Sequence, residues 1–184
     1  MEAIIAVSIT ALAGSVLLLA VESSLTTTTD ATERALAEGL AEQLLEEIVT
    51  RRFAEPGIDP VSGTLGRDSG EASATQRLLF DDTDDYHGYA AQPPQDFGGK
   101  ELGQGDDQGN LRHPNFRLSA SALANWRQEV AVYFVDPANP SQRLASGTSA
   151  YRAVEVTIQH VERDGSRRPL AQRRRVYVYL PPTP

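Results

Sequence analysis

From Ala3 to Val21 the chain carries no charged residue. The apolar run Ala3-Ile4-Ile5-Ala6-Val7 through Val16-Leu17-Leu18-Leu19-Ala20-Val21 is interrupted only by small residues. About 19 residues at a helical rise of 1.5 Å cover roughly 28 Å, close to the hydrocarbon thickness of a bilayer. The run therefore predicts a membrane-spanning helix. Ser8, Thr10, Gly14 and Ser15 suit such a helix, because small residues let helices approach and hydroxyls bond back to the backbone. A cleavable secretory signal would carry Lys or Arg ahead of the apolar run, and none stands there. The helical pattern continues past Val21. Leu36, Leu40, Leu44 and Ile48 recur at four-residue spacing with Ala37, Ala41 and Leu45 beside them, and Glu33, Glu38, Glu42, Glu46 and Glu47 supply a wet face. The first proline is Pro56, so one helix is predicted from the start to about Phe53, on the order of 75 Å long. The β-branched Thr26 to Thr29 are its intrinsically weakest part.

Beyond the helix the pattern changes. Glu55 to about Ala74 is rich in Pro, Gly, Ser and Asp and reads as a surface loop, as does Gln92 to Asn115. The last third alternates with period two. Strands are predicted near 129–135, 151–162 and 171–180; in the second, Val154, Val156, Ile158 and His160 share one face while Glu155, Thr157 and Gln159 share the other. Asp164-Gly165 marks the turn of a hairpin with one buried face. The fold class is α+β: a long N-terminal helix, membrane-spanning in its first half and amphipathic in its second, packed on a small antiparallel β-sheet. Residues 1–53 form the helix and 54–184 the globular domain. Leu36, Leu40, Leu44 and Ile48 are the side chains expected to pack on the Val154, Val156 and Ile158 face.

Composition narrows the function. The chain is 184 residues long with a formal net charge of −8, which argues against nucleic acid as a partner, since phosphate binding draws on a basic surplus. The absence of cysteine excludes disulfides, thiolate metal sites and thiol catalysis. There is no Gly-x-Ser-x-Gly elbow, His-Glu-x-x-His pair or phosphate-binding Gly-x-x-x-x-Gly-Lys-Ser loop, so an enzyme is not expected. Of the histidines, His160 falls on the apolar strand face, where a satisfied, partly buried ring is the simpler reading than a ligand. Trp126, close after Leu123, reads as a core aromatic.

Two charged groups call for a chemical reading. Asp81, Asp82, Asp84 and Asp85 offer the oxygen ligands that calcium takes, although glycine is missing from the sixth position of an EF-hand register. The competing and favoured reading is a solvated loop whose aspartates form turns, with no cofactor. Arg163, Arg167, Arg168, Arg173, Arg174 and Arg175 surround the hairpin turn; they guard an exposed sheet edge or, less simply, hold phosphate groups of single-stranded DNA or lipid.

Glu2 followed by the apolar Ala3-Ile4-Ile5-Ala6-Val7, in a long helix ahead of an antiparallel sheet, resembles the type IV pilin and type II secretion pseudopilin families. Ala41-Glu42-Gln43-Leu44-Leu45-Glu46-Glu47-Ile48, Arg51-Arg52-Phe53 and Phe80 to Gly88 are similar to minor pilin-like proteins of the mannose-sensitive haemagglutinin biogenesis type. Those families carry a glycine at a processing point and a short Phe-Thr-Leu-type segment before the glutamate; here the sequence opens one residue before it, and whether a leader precedes Met1 stays open. The resemblance implies a structural subunit that assembles through Glu2, Ala3, Ile4, Ile5 and Val7, the glutamate pairing with the N-terminal amine of a neighbouring helix. It implies other pilin or pseudopilin subunits, an inner-membrane assembly platform and membrane lipids as partners. It also implies a single-pass protein of the bacterial inner membrane, its globular domain in the periplasm or on an extracellular filament. The alternative is a solitary membrane-anchored periplasmic adaptor or binding domain, for which no helix bundling is needed.

Overall fold

The computed structural model describes residues 1–61, 64–68, 70–71, 76–119 and 121–181; Ser62-Gly63 and the expected loop end at Ala74 lie outside them. Its longest element is α1, Glu2–Val49. A four-stranded antiparallel sheet follows, of β1 (Ala90–Ala91), β2 (Trp126–Phe134), β3 (Tyr151–Val161) and β4 (Arg167–Val178), in the order β1-β2-β3-β4. This is the α+β architecture that the sequence predicts. The chain divides into two compact units, Met1–Leu36 and Ala37–Pro184.

The first unit is helix alone, with every residue exposed except the half-buried Glu33. Side chains reinforce the backbone bonds of this helix. Thr26, Thr27, Thr28, Thr29 and Thr32 each donate a hydroxyl proton to the carbonyl four residues earlier, at 2.8–3.0 Å. The polar groups of the threonine stretch are thereby satisfied within the helix, offsetting part of its weak helical propensity.

The second unit contains the last turns of α1 and the sheet. Ala37, Leu40, Ala41, Leu44, Leu45 and Ile48 are buried in one cluster with Trp126, Val130, Val132, Val154, Val156 and Ile158. The helix thus covers one sheet face, because both elements place apolar side chains at their own period toward the same layer. Leu36 is the exception to the expected stripe: it is 48% exposed and ends the unit that has no share in this core. The sequence division at 53/54 follows the end of the helical pattern, whereas the contact division falls inside the helix, at 36/37.

Strand β2 begins at Trp126 and not at Glu129, and β4 begins at Arg167 and not at Ala171. A tight turn explains β4: the Glu162 N–H donates to the Ser166 carbonyl, Gly165 adopts φ 82°, and pairing resumes at Val161 with Arg167. Pro169, which breaks the sequence pattern, is tolerated beside the irregularity at Ile158/Gln159.

The inward side of β4 is the arginine side. Arg173 stands opposite Val156 and Arg175 opposite Val154, so they share the face that α1 covers. There Arg173 reaches Glu38 at 3.0 Å and Arg175 reaches Glu46 at 2.5 Å and Glu42 at 3.3 Å. The helix glutamates expected to face water alone are thus partnered, while Val178 and Leu180 lie exposed. Long arginine stems cover apolar surface and keep their charged heads at its rim.

Candidate functional site

Glu2, Ala3, Ile4, Ile5 and Val7 occupy the first two turns of α1, all exposed, and large apolar side chains remain uncovered from Ile4 to Val21. The hydroxyls in this stretch turn inward to the backbone. Ser8 donates to the Ile4 carbonyl at 2.8 Å, Thr10 to Ala6 at 2.9 Å and Ser15 to Leu12 at 2.8 Å. A helix in hydrocarbon needs this, since every polar group there must find its partner within the segment. The helix is long and apolar enough to cross a membrane. Glu2 is the acidic residue of its first turn, a place that the helix dipole favours for negative charge.

The second candidate is the acidic loop at residues 81–85. The Asp85 carboxylate accepts the backbone N–H groups of Asp81 and Asp82, at 3.0 and 3.1 Å, and the Asp82 carboxylate accepts those of Asp84 and Asp85, at 2.8 and 3.4 Å. Two aspartates therefore build the turn, as the loop reading expects, but Asp82 and Asp85 are buried and not solvated. Asp84 is drawn to Arg152 at 2.7 Å, and Asp81 lies 3.6 Å from Arg52. Two residues that sequence reasoning missed, Glu55 and Glu71, fold back against the loop. Glu55 with Asp81 and Asp82, and Glu71 with Asp81 and Asp85, bring carboxylate oxygens within 4.8 Å of one another. These are the sets able to hold a hard cation such as calcium. No local signal marks Glu55 or Glu71, because a Pro/Gly-rich loop joins them to the cluster only through the tertiary fold.

The crowding of like charges has an electrostatic signature. Burial first, then a hydrogen bond with Asp85, pushes the Glu71 carboxyl from an ordinary 4.5 up to about 8. Burial, then a hydrogen bond with Asp84, pushes Asp82 from 3.8 up to about 7. Glu55 is raised as well, by desolvation and by its bond with Asp81.

Two buried arginines fix the surrounding chain. Arg77 grips Glu47 of α1 through two bonds of 2.7 and 3.0 Å and donates also to the Tyr89 hydroxyl and the Gln95 carbonyl; the Tyr86 hydroxyl donates to the same glutamate at 3.0 Å. Arg152, on β3, donates to the Phe53 carbonyl at 2.5 Å and the Pro60 carbonyl at 3.2 Å besides its pair with Asp84. Its guanidinium lies 4.4 Å from the Phe53 ring centroid. Together they tie the end of α1, the first loop and the acidic turn to the sheet. Arg77 precedes Leu78-Leu79-Phe80 and Arg152 stands in phase with Val154, Val156 and Ile158, but nothing local in the sequence pairs either arginine with its distant carboxylate. His160 is half-buried, its Nδ1 3.1 Å from Glu162, and Trp126 is buried in the core. No family model, no curated protein and no solved structure matches this chain.

Proposed function

We propose that the protein is a structural minor pilin or pseudopilin subunit of a type IV pilus or type II secretion filament. One observation carries the reading: the helix whose last turns enter the core of a folded α+β domain is the same unbroken element whose first turns are apolar, uncovered and long enough for a membrane. A domain merely tethered to a membrane is served by a flexible linker; here no Pro/Gly/Ser-rich linker separates the apolar turns of α1 from those that enter the core, which favours bundling through the helix. In this reading the segment from Ala3 to Val21 sits in the bacterial inner membrane before assembly and in a filament core afterwards. The globular domain then lies in the periplasm or on the filament surface, and the work done is assembly in protein transport or pilus building, with no catalysis.

Glu2 is the residue on which the reading turns. A carboxylate carried into an apolar bundle costs about 2.5 to 3.5 kcal/mol on insertion scales unless a cation meets it. The amine at the start of a neighbouring copy is that cation, so each added subunit is fixed in register. In the native host, Glu2→Ala is expected to insert and fold normally but to lose crosslinks to neighbouring subunits. Unchanged crosslinking of Glu2→Ala would leave the solitary-adaptor alternative as the better account.

A further inference from the structure

The loop between β1 and β2 exposes an apolar group that the filament reading does not use. Leu111, Phe116 and Leu118 are 56%, 75% and 52% exposed within eight residues. The loop presents them in a fixed arrangement. The Leu118 N–H donates to the Gly103 carbonyl, the Gln104 side chain to the Leu118 carbonyl, and the Arg112 N–H to the Gln104 carbonyl. Gly103 has φ 80°, and a Cβ there would run into the Leu118 side chain, so the close approach depends on that glycine. At the tip, Pro114–Phe116 forms a single 3-10 turn whose Asn115 N–H is accepted by His113 Nδ1 at 3.3 Å.

Between these apolar residues stand Arg112 and Arg117, and residues 111–118 include no acid. Arg112 lies 3.6 Å from Asp107, on the neighbouring turn, and the Arg117 Nε bonds the Arg112 carbonyl oxygen. Among the described residues no carboxylate pairs with Arg117, which leaves its charge to an outside anion. Apolar side chains interleaved with arginine are the composition of a surface that lies in the headgroup region of a bilayer, rings and leucines among the acyl chains, guanidinium on phosphate. Three side chains would not keep a free domain on a membrane. They need not, because a membrane span in the same chain makes the loop's encounter with lipid intramolecular.

We propose that the Leu111–Leu118 loop is a second, reversible membrane contact, with an anionic phospholipid surface as its partner. This rests on α1 spanning the membrane. The contact is weak, restrains the domain while the subunit waits in the bilayer, and is surrendered when the subunit leaves it.

The chain has no cysteine, so single labels can be placed without background. The full chain is reconstituted in nanodiscs of phosphatidylcholine containing about one quarter phosphatidylglycerol. A nitroxide is attached through Asn115→Cys, with Leu12→Cys marking the span and Ser146→Cys an exposed control. Collision with oxygen relative to a water-soluble nickel complex reports depth. The Asn115→Cys label is expected to show a ratio about fivefold above the Ser146→Cys label, falling to the control level with Phe116→Ser or Arg117→Glu, and falling in part in phosphatidylcholine alone. A Leu12→Cys label at acyl depth with Asn115→Cys reading as water would overturn the loop contact and leave the anchor standing. A label immobilised yet shielded from both agents would also overturn it, and would assign the patch to a protein partner. If Leu12→Cys itself reads as water, anchor and loop contact fall together.

Discussion

At the scale of single residues, the second unit depends on a few buried cations more than on its many surface ion pairs. Arg152 donates to two carbonyl oxygens and one carboxylate, and of these the Phe53 carbonyl also accepts from the Thr83 hydroxyl. Arg152→Met is therefore expected to destabilise the domain by roughly 3 to 5 kcal/mol, the cost of leaving a buried charge and acceptors unpaired, read by chemical denaturation. Arg175→Ala, which removes bonds to Glu42 and Glu46 at an exposed rim, is expected to cost far less than Arg152→Met, and the loss should shrink with added salt. The acidic loop gives a pH dependence of definite sign. Glu71 and Asp82 hold their protons more tightly in the folded state than in the unfolded chain, so folding is favoured below about 4 to 4.5. That contribution is lost as pH rises through the folded values of about 7 and 8. The melting temperature is expected to fall between pH 5 and pH 8.5 by an amount that Glu71→Gln with Asp82→Asn abolishes; an unchanged slope in the double variant would contradict the assignment.

At the scale of elements, Leu44 and Leu36 share one sequence stripe but differ in what surrounds them. Leu44 lies in the cluster with Val154 and Val156, whereas Leu36 is half exposed. Leu44→Asp is expected to cost several kcal/mol, and Leu36→Asp to stay within about 0.5 kcal/mol, in thermal unfolding of the domain. Equal effects would mean that the stripe, and not the core, decides. The same pair shows what the sequence makes legible. Periodicity located α1 and strands β2 to β4, because period and burial are coupled over nine to twelve residues in each strand. It did not show where burial begins along α1, since a stripe has no mark for the first turn that meets the sheet. Nor did it find the two-residue β1, too short for a period, or the inward side of β4. There the register to β3 decides, and Arg173 and Arg175 face inward because Glu38, Glu42 and Glu46 meet them. The candidate site divides the same way. Ala3 to Val21 is contiguous and legible, while Glu55 and Glu71 reach Asp81 only through the folded loop.

At the scale of the whole molecule, the two units have opposite demands on their surroundings. The unit Met1–Leu36 exposes apolar surface from Ile4 to Leu25 and buries none of it. The unit Ala37–Pro184 closes its own core with α1 from Ala37 to Ile48, the sheet, and the two arginine networks. In the proposed reading the hydrophobic effect acting on the first unit is answered by lipid or by other helices, whereas the second answers it by folding. The requirements separate at a definite place in the sequence. Deleting residues 1–24 removes the large apolar side chains left uncovered from Ile4 to Val21 and touches no residue of the core cluster. The remaining chain is expected to be soluble without detergent and to keep its sheet. Its Trp126, buried at the start of β2, should give the near-ultraviolet circular dichroism of the full chain in detergent. Cutting further, at residue 43, removes Leu40 and Ala41 and opens the sheet face. That shorter chain is expected to lose the tryptophan signal and to aggregate, since the helix turns it lacks form one wall of the core. A residue 25–184 chain that stays insoluble, or a residue 43–184 chain that folds as well, would place the boundary between anchor and domain somewhere other than inside α1.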